Sequence, residues 1–334
     1  MNAHSDPNNL FVKNAKKIID LNFFRTMASF LTSKSIFDIL VNLKIPFFYS
    51  DSNEYFKNLC SHLIKQRKEF KNNDFDDMLQ LMVDARLGKD ERYEKADEFD
   101  SFQVNLGKEE IEKENELFKD IIGSKYLNEE EIVAQSIIFF AGYETTATTI
   151  AICLYELAIN EAIQKKLFDE IQSILDDEKQ LDYSSVMILP YLDAVLSETL
   201  RKYPPTLLLT RDASTNYHIE ECDITIEKDK SIMIPVYAIH HDPEYYPDPE
   251  RFDPERFMPE NRHKLIPYTY LPFGCGPRNC IGMRFALMKA KLAIANLVQK
   301  FRIIRVADTP NSLKLQNSIF FLKTEPIHLG MEKK

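Results

Sequence analysis

Apolar positions in this chain recur mostly at helical spacing, in blocks separated by polar or proline-containing breaks. Residues 8–70 read as helices with short breaks. Within them, residues 21–48 (LNFFRTMASFLTSKSIFDILVNLKIPFF) are apolar and aromatic with few charges. That suits packed core and, equally, a surface leaning on lipid or on a hydrophobic ligand. Asn128, followed three residues later by Glu131, has the form of a capping box. It opens a helix predicted to run to about residue 160, roughly 50 Å at ~1.5 Å per residue, enough to cross a domain. Glu144 lies near the middle of the apolar stretch 136–160. A carboxylate at mid-bilayer is costly, so this stretch reads as a buried helix and not as a membrane span.

Further helices are predicted over 161–175 and 191–202. The second must stop before Pro204-Pro205, because proline removes a donor and restricts the residue ahead of it. Ile224, Ile226, Ile232, Ile234 and Val236 alternate around Lys228-Asp229-Lys230 and predict a β-hairpin. Residues 243–277 are proline-dense and irregular. A last amphipathic helix is expected over 281–300, and residues 312–329 alternate weakly, as short strands would. The fold class implied is mainly α with small β-sheets.

Composition sharpens this in three ways. Only 8 of 334 residues are glycine, against a usual ~7%, which fits a helical chain better than a glycine-hungry β architecture. A formal charge of −10 makes nucleic acid a poor main partner, since phosphate binding needs a basic surface. The five cysteines, Cys60, Cys153, Cys222, Cys275 and Cys280, are too irregular for a disulfide scaffold, so a special cysteine would be a ligand or a nucleophile. Residues 89–120, with twelve acids and six bases, read as a solvated loop or insert of no assigned role. The opening residues hold no apolar stretch of a secretory signal.

Candidate chemistry concentrates in one place. Gly274, Gly276 and Gly282, three of the eight glycines, bracket Cys280 in PFGCGPRNCIGMRFALMKAK. Glycine lets backbone approach a ligand closely. A cysteine just ahead of a helix N-terminus has its thiolate favoured by the dipole and the free N–H groups, and Arg278 adds a fixed positive charge. Such a loop suits a flat, anionic, metal-containing ligand. Two other metals compete for the cysteines. Cys275 and Cys280 are spaced C-x4-C as in some iron–sulfur patterns, and zinc could draw on both with His240, His241 or His263; neither finds the remaining spacing it needs.

FGCGPRNCIG resembles the haem-binding loop of the cytochrome P450 superfamily, FxxGxRxCxG, at each fixed position: Phe273, Gly276, Arg278, Cys280 and Gly282. AGYETT, with Ala141, Gly142, Glu144 and Thr145, resembles the family's dioxygen-groove signature. Glu198-Thr199-Leu200-Arg201 is similar to its ExxR element, with Arg256 in FDPERF as the second arginine. The chain most resembles the microsomal animal branch that oxidises drugs and xenobiotics.

The resemblance implies a haem-thiolate monooxygenase carrying haem b (iron protoporphyrin IX), with Cys280 as axial ligand to iron. Gly274 and Gly282 would line the loop beside Gly276, Arg278 and Arg211 would meet haem propionates, Phe273 would shield the sulfur, and Ala141 would face the haem. Thr145 would hydrogen-bond bound dioxygen and Glu144 would relay protons. Glu198, Arg201 and Arg256 would form a structural triad. Ile138, Phe139, Phe140, Thr206, Leu207, Leu208, Leu209, Phe320 and Phe321 would face a hydrophobic substrate. One residue fewer than the family pattern lies between Gln135 and Ala141, which turns a helix by about 100° and bears on Ile138 and Phe139.

No nucleotide-binding glycine motif occurs, so electrons would come from NADPH–cytochrome P450 reductase, with cytochrome b5 as a second donor. Lys264, Arg284, Lys289 and Lys291 are candidate contacts for such a partner. The family also implies the cytoplasmic face of the endoplasmic reticulum membrane. Against it, residues 1–334 read as one incomplete domain without membrane anchor or early helices, expected to bind haem poorly alone. Two rival functions stay open at this point: a haem-thiolate isomerase, and an inactive fragment serving as an interaction or regulatory protein.

Overall fold

The computed structural model describes residues 9–19, 50–69, 77, 79–80, 82–83, 128–175, 181–316 and 320–334. The apolar stretch 21–48 and the acidic stretch 89–120 lie outside these residues. The chain divides into two compact units, residues 1–100 with 108–144, and 101–107 with 145–334.

In the first unit, α1 (Leu10–Ile19) and α2 (Ser50–Glu69) pack through Phe11, Ala15, Tyr55, Phe56 and Leu59. A second small core joins Cys60 and Ile64 of α2 to Leu79, Met82, Val83, Ile132 and Val133. The last two belong to α3 (Glu129–Ile159), the long helix expected from the capping box. That box is formed as the residue types require. Glu131 N–H donates to Asn128 Oδ1 at 2.9 Å, and Asn128 N–H donates back to Glu131 Oε2 at 2.7 Å. Among the described residues, no helix is long and apolar enough to cross a membrane.

The second unit is built around α6 (Pro190–Lys202). Every residue from Tyr191 to Arg201 is buried. Pro190 opens the helix where a missing N–H costs nothing. Glu170 reaches from α4 (Glu161–Ser173) to accept from the next two free amides, Tyr191 N–H at 2.7 Å and Leu192 N–H at 2.9 Å. The far end stops at Lys202, ahead of the two prolines. Around α6 lie α4, α5 (Tyr183–Met187) and α8 (Met283–Lys300). They share a core that includes Leu167, Ile171, Val186, Leu192, Val195, Leu196, Leu287, Ile294 and Val298. Gln164 ties α3 and α4 to the sheet. Its amide donates to Leu157 O and Ile303 O and accepts from Ile303 N–H, each at 2.9 Å.

Among the described residues of the unit are three two-stranded antiparallel sheets: β1 (Leu209–Asp212) with β4 (Ser231–Ile234), β2 (Tyr217–Ile219) with β3 (Ile224–Ile226), and β5 (Phe301–Arg305) with β6 (Leu329–Lys333). The hairpin expected around Lys228-Asp229-Lys230 is not formed. Its two apolar runs belong to different sheets, because β1 takes the edge of β4 and β2 takes that of β3. Ala213 and the turn residues lengthen the β1–β4 ladder, with Asp229 N–H to Ala213 O at 2.7 Å and Ala213 N–H to Lys230 O at 2.9 Å. The tail also differs from expectation. Its strand begins at Leu329, and among the described residues before it the β-pairing is limited to isolated bridges, Thr206↔Phe321 and Leu315↔Thr324. Residues 243–277 are irregular as expected, apart from short 3-10 turns at Pro254–Phe257 and Gly276–Arg278 and a further one between, Arg262–Lys264. The short helix α7 (Val236–His240), which the alternating pattern hid, leads into them.

Candidate haem-binding site

The cysteine loop hangs between two fixed points of the second unit. On one side, Phe273 packs against the main core. On the other, α8 begins at Met283 with Gly282 as its N-cap. The Cys280 N–H donates to Phe273 O at 2.8 Å and closes the loop into a ring of backbone. Gly274 and Gly276 stand at φ +72° and +74°, the left-handed region where a Cβ is unfavourable. A Cβ on Gly276 would meet no described atom within 4 Å, so glycine leaves open space there. Cys280 is exposed, three residues ahead of α8, whose first amide, Met283 N–H, donates back to the Cys280 carbonyl at 3.3 Å. Ile281 (84% exposed) and Phe285 (57% exposed) add apolar surface beside it.

This arrangement fits haem and fits a bare ion poorly. A porphyrin brings its own equatorial donors, so one protein thiolate completes the set. Zinc needs several protein ligands, and among the described residues no three His, Cys, Asp or Glu side chains are grouped to hold a metal. His240, a rival ligand by sequence, is buried with both ring nitrogens engaged.

The residues read as substrate-facing come together in part. Leu207 N–H donates to Phe320 O at 2.8 Å, Leu322 N–H donates to Pro205 O at 2.9 Å, and Thr206 bridges Phe321. The chain at Thr206 and Leu207 therefore lies beside Phe320 and Phe321, and Thr206 to Leu209, Phe320 and Phe321 are half-buried. Leu209 brings this segment to the cysteine loop, its Cδ1 being 3.7 Å from where a Cβ on Gly274 would lie. Arg211, on the same strand, is half-buried and donates to Thr210 O at 2.8 Å, while Arg278 is exposed. On α3, the side chains of residues 136–141, and so Ile138, Phe139, Phe140 and Ala141, lie outside the description. Glu144 closes the first unit and Thr145 opens the second. The Thr145 carbonyl accepts from the Thr149 hydroxyl at 2.9 Å.

Glu198, Arg201 and Arg256 meet in the core. Arg201 makes a bidentate pair with Glu198, Nε to Oε2 at 2.7 Å and Nη2 to Oε1 at 2.8 Å, with both side chains fully buried. Arg256 Nε stands 3.7 Å from Glu198 Oε1, and its Nη2 donates to Pro247 O and Asp248 O. The Asp253 N–H also donates to Glu198, at 2.9 Å. Burial pushes the Glu198 carboxyl upward, and Arg201, then the Asp253 amide, pull against it.

Two buried carboxylate clusters are not visible in the sequence. Lys291, read as an exposed contact for an electron donor, is 1% exposed and holds Asp193 at 2.5 Å. It cannot touch a docking protein. Arg262 grips the other oxygen of Asp193 at 3.0 Å, so α6, α8 and the 262–264 turn share one buried carboxylate. Glu156, fully buried on α3, collects Lys202 Nζ at 3.0 Å and the Tyr203 hydroxyl at 2.9 Å. Apolar spacing flags none of these; a carboxylate inside an otherwise apolar helix face is the one available signal. Lys264, Arg284 and Lys289 remain exposed, with Lys289 over the Phe285 ring.

A family profile described as Cytochrome P450 matches residues 2–331. The chain belongs to the cytochrome P450 family. The mainly α architecture with small sheets is the one this membership entails. Among curated relatives, the chain is similar to Cytochrome P450 3A16 of Mus musculus (39% identical over 330 residues, 97% of this chain and 59% of the relative). It is similar to Lithocholate 6-beta-hydroxylase of Mesocricetus auratus (37% over 330 residues, 97% and 59%). It is also similar to Cytochrome P450 9e2 of Blattella germanica (35% over 335 residues, 98% and 58%). The chain thus spans somewhat under three-fifths of the length of these P450 relatives.

Proposed function

We propose that this P450 chain forms the haem-binding and oxygen-activating part of a monooxygenase that inserts one atom of dioxygen into a hydrophobic small molecule. The observation that carries the reading is the cysteine loop: an exposed Cys280 closed onto Phe273, with left-handed glycines before it and a helix N-terminus after it. Haem b held through Cys280 supplies dioxygen binding and O–O cleavage at iron. The protein's part is to hold, orient and protonate. Arg278 and Arg211 pair with haem propionates. Thr145 offers its hydroxyl and Glu144 its carboxylate for proton delivery on the long helix. Leu207, Leu208, Leu209, Phe320 and Phe321 exclude water and favour an apolar substrate, with Thr206 at the edge. Glu198, Arg201 and Arg256 hold the core in which the loop is rooted. The name of one relative points to a steroid acid as the kind of substrate to try first.

Electrons come from NADPH through cytochrome P450 reductase, or from cytochrome b5, docking on a surface that includes Lys264, Arg284 and Lys289. The whole protein works at the cytoplasmic face of the endoplasmic reticulum membrane. The deciding experiment supplies haem, reductase, NADPH and labelled dioxygen with lithocholate or another steroid. One labelled oxygen per product molecule, lost in Thr145→Ala, is expected. Product oxygen from water overturns the reading, and turnover without NADPH overturns it in favour of an isomerase-type reaction.

A further inference from the structure

His240 is the last residue of α7 and is fully buried. Its two ring nitrogens face different elements. Nδ1 lies 3.1 Å from the Arg201 carbonyl at the end of α6, and Nε2 lies 2.8 Å from the Leu271 N–H. A carbonyl can only accept and an amide can only donate, so the partners fix one neutral tautomer with its proton on Nδ1. Burial depresses its pKa to about 3, so this tautomer persists at neutral pH. The ring also stacks on Tyr270, centroids 5.6 Å apart. The Arg201 side chain returns the contact, Nη1 donating to the His240 carbonyl at 2.9 Å. His240 is thereby clamped to the residue that pairs with Glu198.

Leu271 is the root of the cysteine loop. Its carbonyl accepts from Gly274 N–H at 3.1 Å, and two residues on, Phe273 O accepts from Cys280 N–H at 2.8 Å. One imidazole therefore joins the buried Glu198–Arg201 pair to the backbone that carries Cys280. We propose that His240 is a positioning residue for the cysteine loop, transmitting the place of the α6 terminus to Leu271 and through the loop's own hydrogen bonds to Cys280. The inference rests on the reading of Cys280 as the haem thiolate. It adds a residue that neither the loop motif nor the Glu198, Arg201 and Arg256 constellation contains.

The test compares His240→Gln, whose amide still presents one acceptor and one donor, with His240→Phe, which fills space and stacks but bonds to neither partner. Tyr270→Phe serves as control, because it removes a neighbouring bond, to Ser197 O at 3.1 Å, without cutting the link. Amide exchange is followed in the full chain without haem, and the reduced carbon monoxide spectrum is recorded after haem is supplied. In His240→Phe the Leu271, Gly274 and Cys280 amides are expected to exchange roughly tenfold faster, together. The red-shifted Soret band of thiolate-ligated haem should shrink in favour of the unshifted form. His240→Gln and Tyr270→Phe should keep both properties near the parent.

Unchanged Cys280 exchange in His240→Phe, or equal loss in Tyr270→Phe and His240→Gln, overturns the proposal. Should His240→Phe fail to fold, the parent chain itself decides. Leu271 and Cys280 must then share one opening rate within about threefold, and independent opening overturns the link. If the parent lacks the thiolate band, the reading of Cys280 fails, while the exchange pattern still judges His240.

Discussion

The helix α6 carries two buried carboxylates, and they are solved differently. Glu198 takes a guanidinium from its own helix, Arg201, bidentate and fully buried. Backbone bonds surround the pair as well: Arg201 also donates to the carbonyls of His240 and Pro249, and the Asp253 N–H donates to Glu198. Asp193 instead takes an ammonium from α8 and a half-exposed guanidinium from the 262–264 turn. Lys291 also donates to Met187 O at 3.3 Å. Both clusters set one acid against two bases. The first is a hub of backbone bonds, whereas the second is a pin between three elements. Buried pairs are costly to desolvate, so the two should respond differently to removal.

The largest effect is expected at the hub. Arg201→Met leaves the buried Glu198 carboxyl without its bidentate partner and strands the His240 and Pro249 carbonyls, and should cost about 3–5 kcal/mol in a urea titration. The pin should cost less. Lys291→Met leaves Asp193 with Arg262, for a loss of about 2–3 kcal/mol by the same titration. The comparison sharpens with double replacements. Asp193→Leu with Lys291→Met should recover most of the loss, because few backbone partners are stranded. Glu198→Leu with Arg201→Met should not recover. Equal recovery in both would erase the distinction drawn here.

His240, bonded to the hub, gives a pH signature. Its pKa rises from about 3 in the fold to the ordinary 6.5 on unfolding, so the unfolded chain takes up a proton that the folded chain refuses. Its contribution is complete above pH 6.5 and is lost as pH falls, by roughly 1.4 kcal/mol per pH unit. Between pH 6.5 and 5 the parent should lose about 2 kcal/mol more than His240→Gln, measured by denaturant midpoints. The smallest effect is at the other end of α6. Glu170→Ala removes the cap on Tyr191 and Leu192 and should cost about 1 kcal/mol in the melting midpoint.

The contrast also explains what the sequence could reveal. Glu198 and Arg201 lie at i, i+3, so their meeting is readable from helix geometry alone. The Asn128–Glu131 box and the glycine-flanked Cys280 are likewise local, and each is written within a few residues. Asp193 with Lys291 and His240 with Leu271 depend on the packing of distant elements, and no spacing encodes that. The pairing of β3 and β4 failed for the same reason: alternation marks strands, but which edge each meets is decided by competing strands such as β1. Lys291 looked like a surface lysine because a helix pattern does not say which face another helix will cover.

Cys280 is proposed as the sulfur ligand of haem iron. The most direct measurement is the reduced carbon monoxide spectrum of the haem-supplied chain beside Cys280→Ala and Cys275→Ala. The red-shifted thiolate band is expected in the parent and in Cys275→Ala, with its complete loss in Cys280→Ala. A band that survives the loss of Cys280, or that vanishes with Cys275 instead, would contradict it.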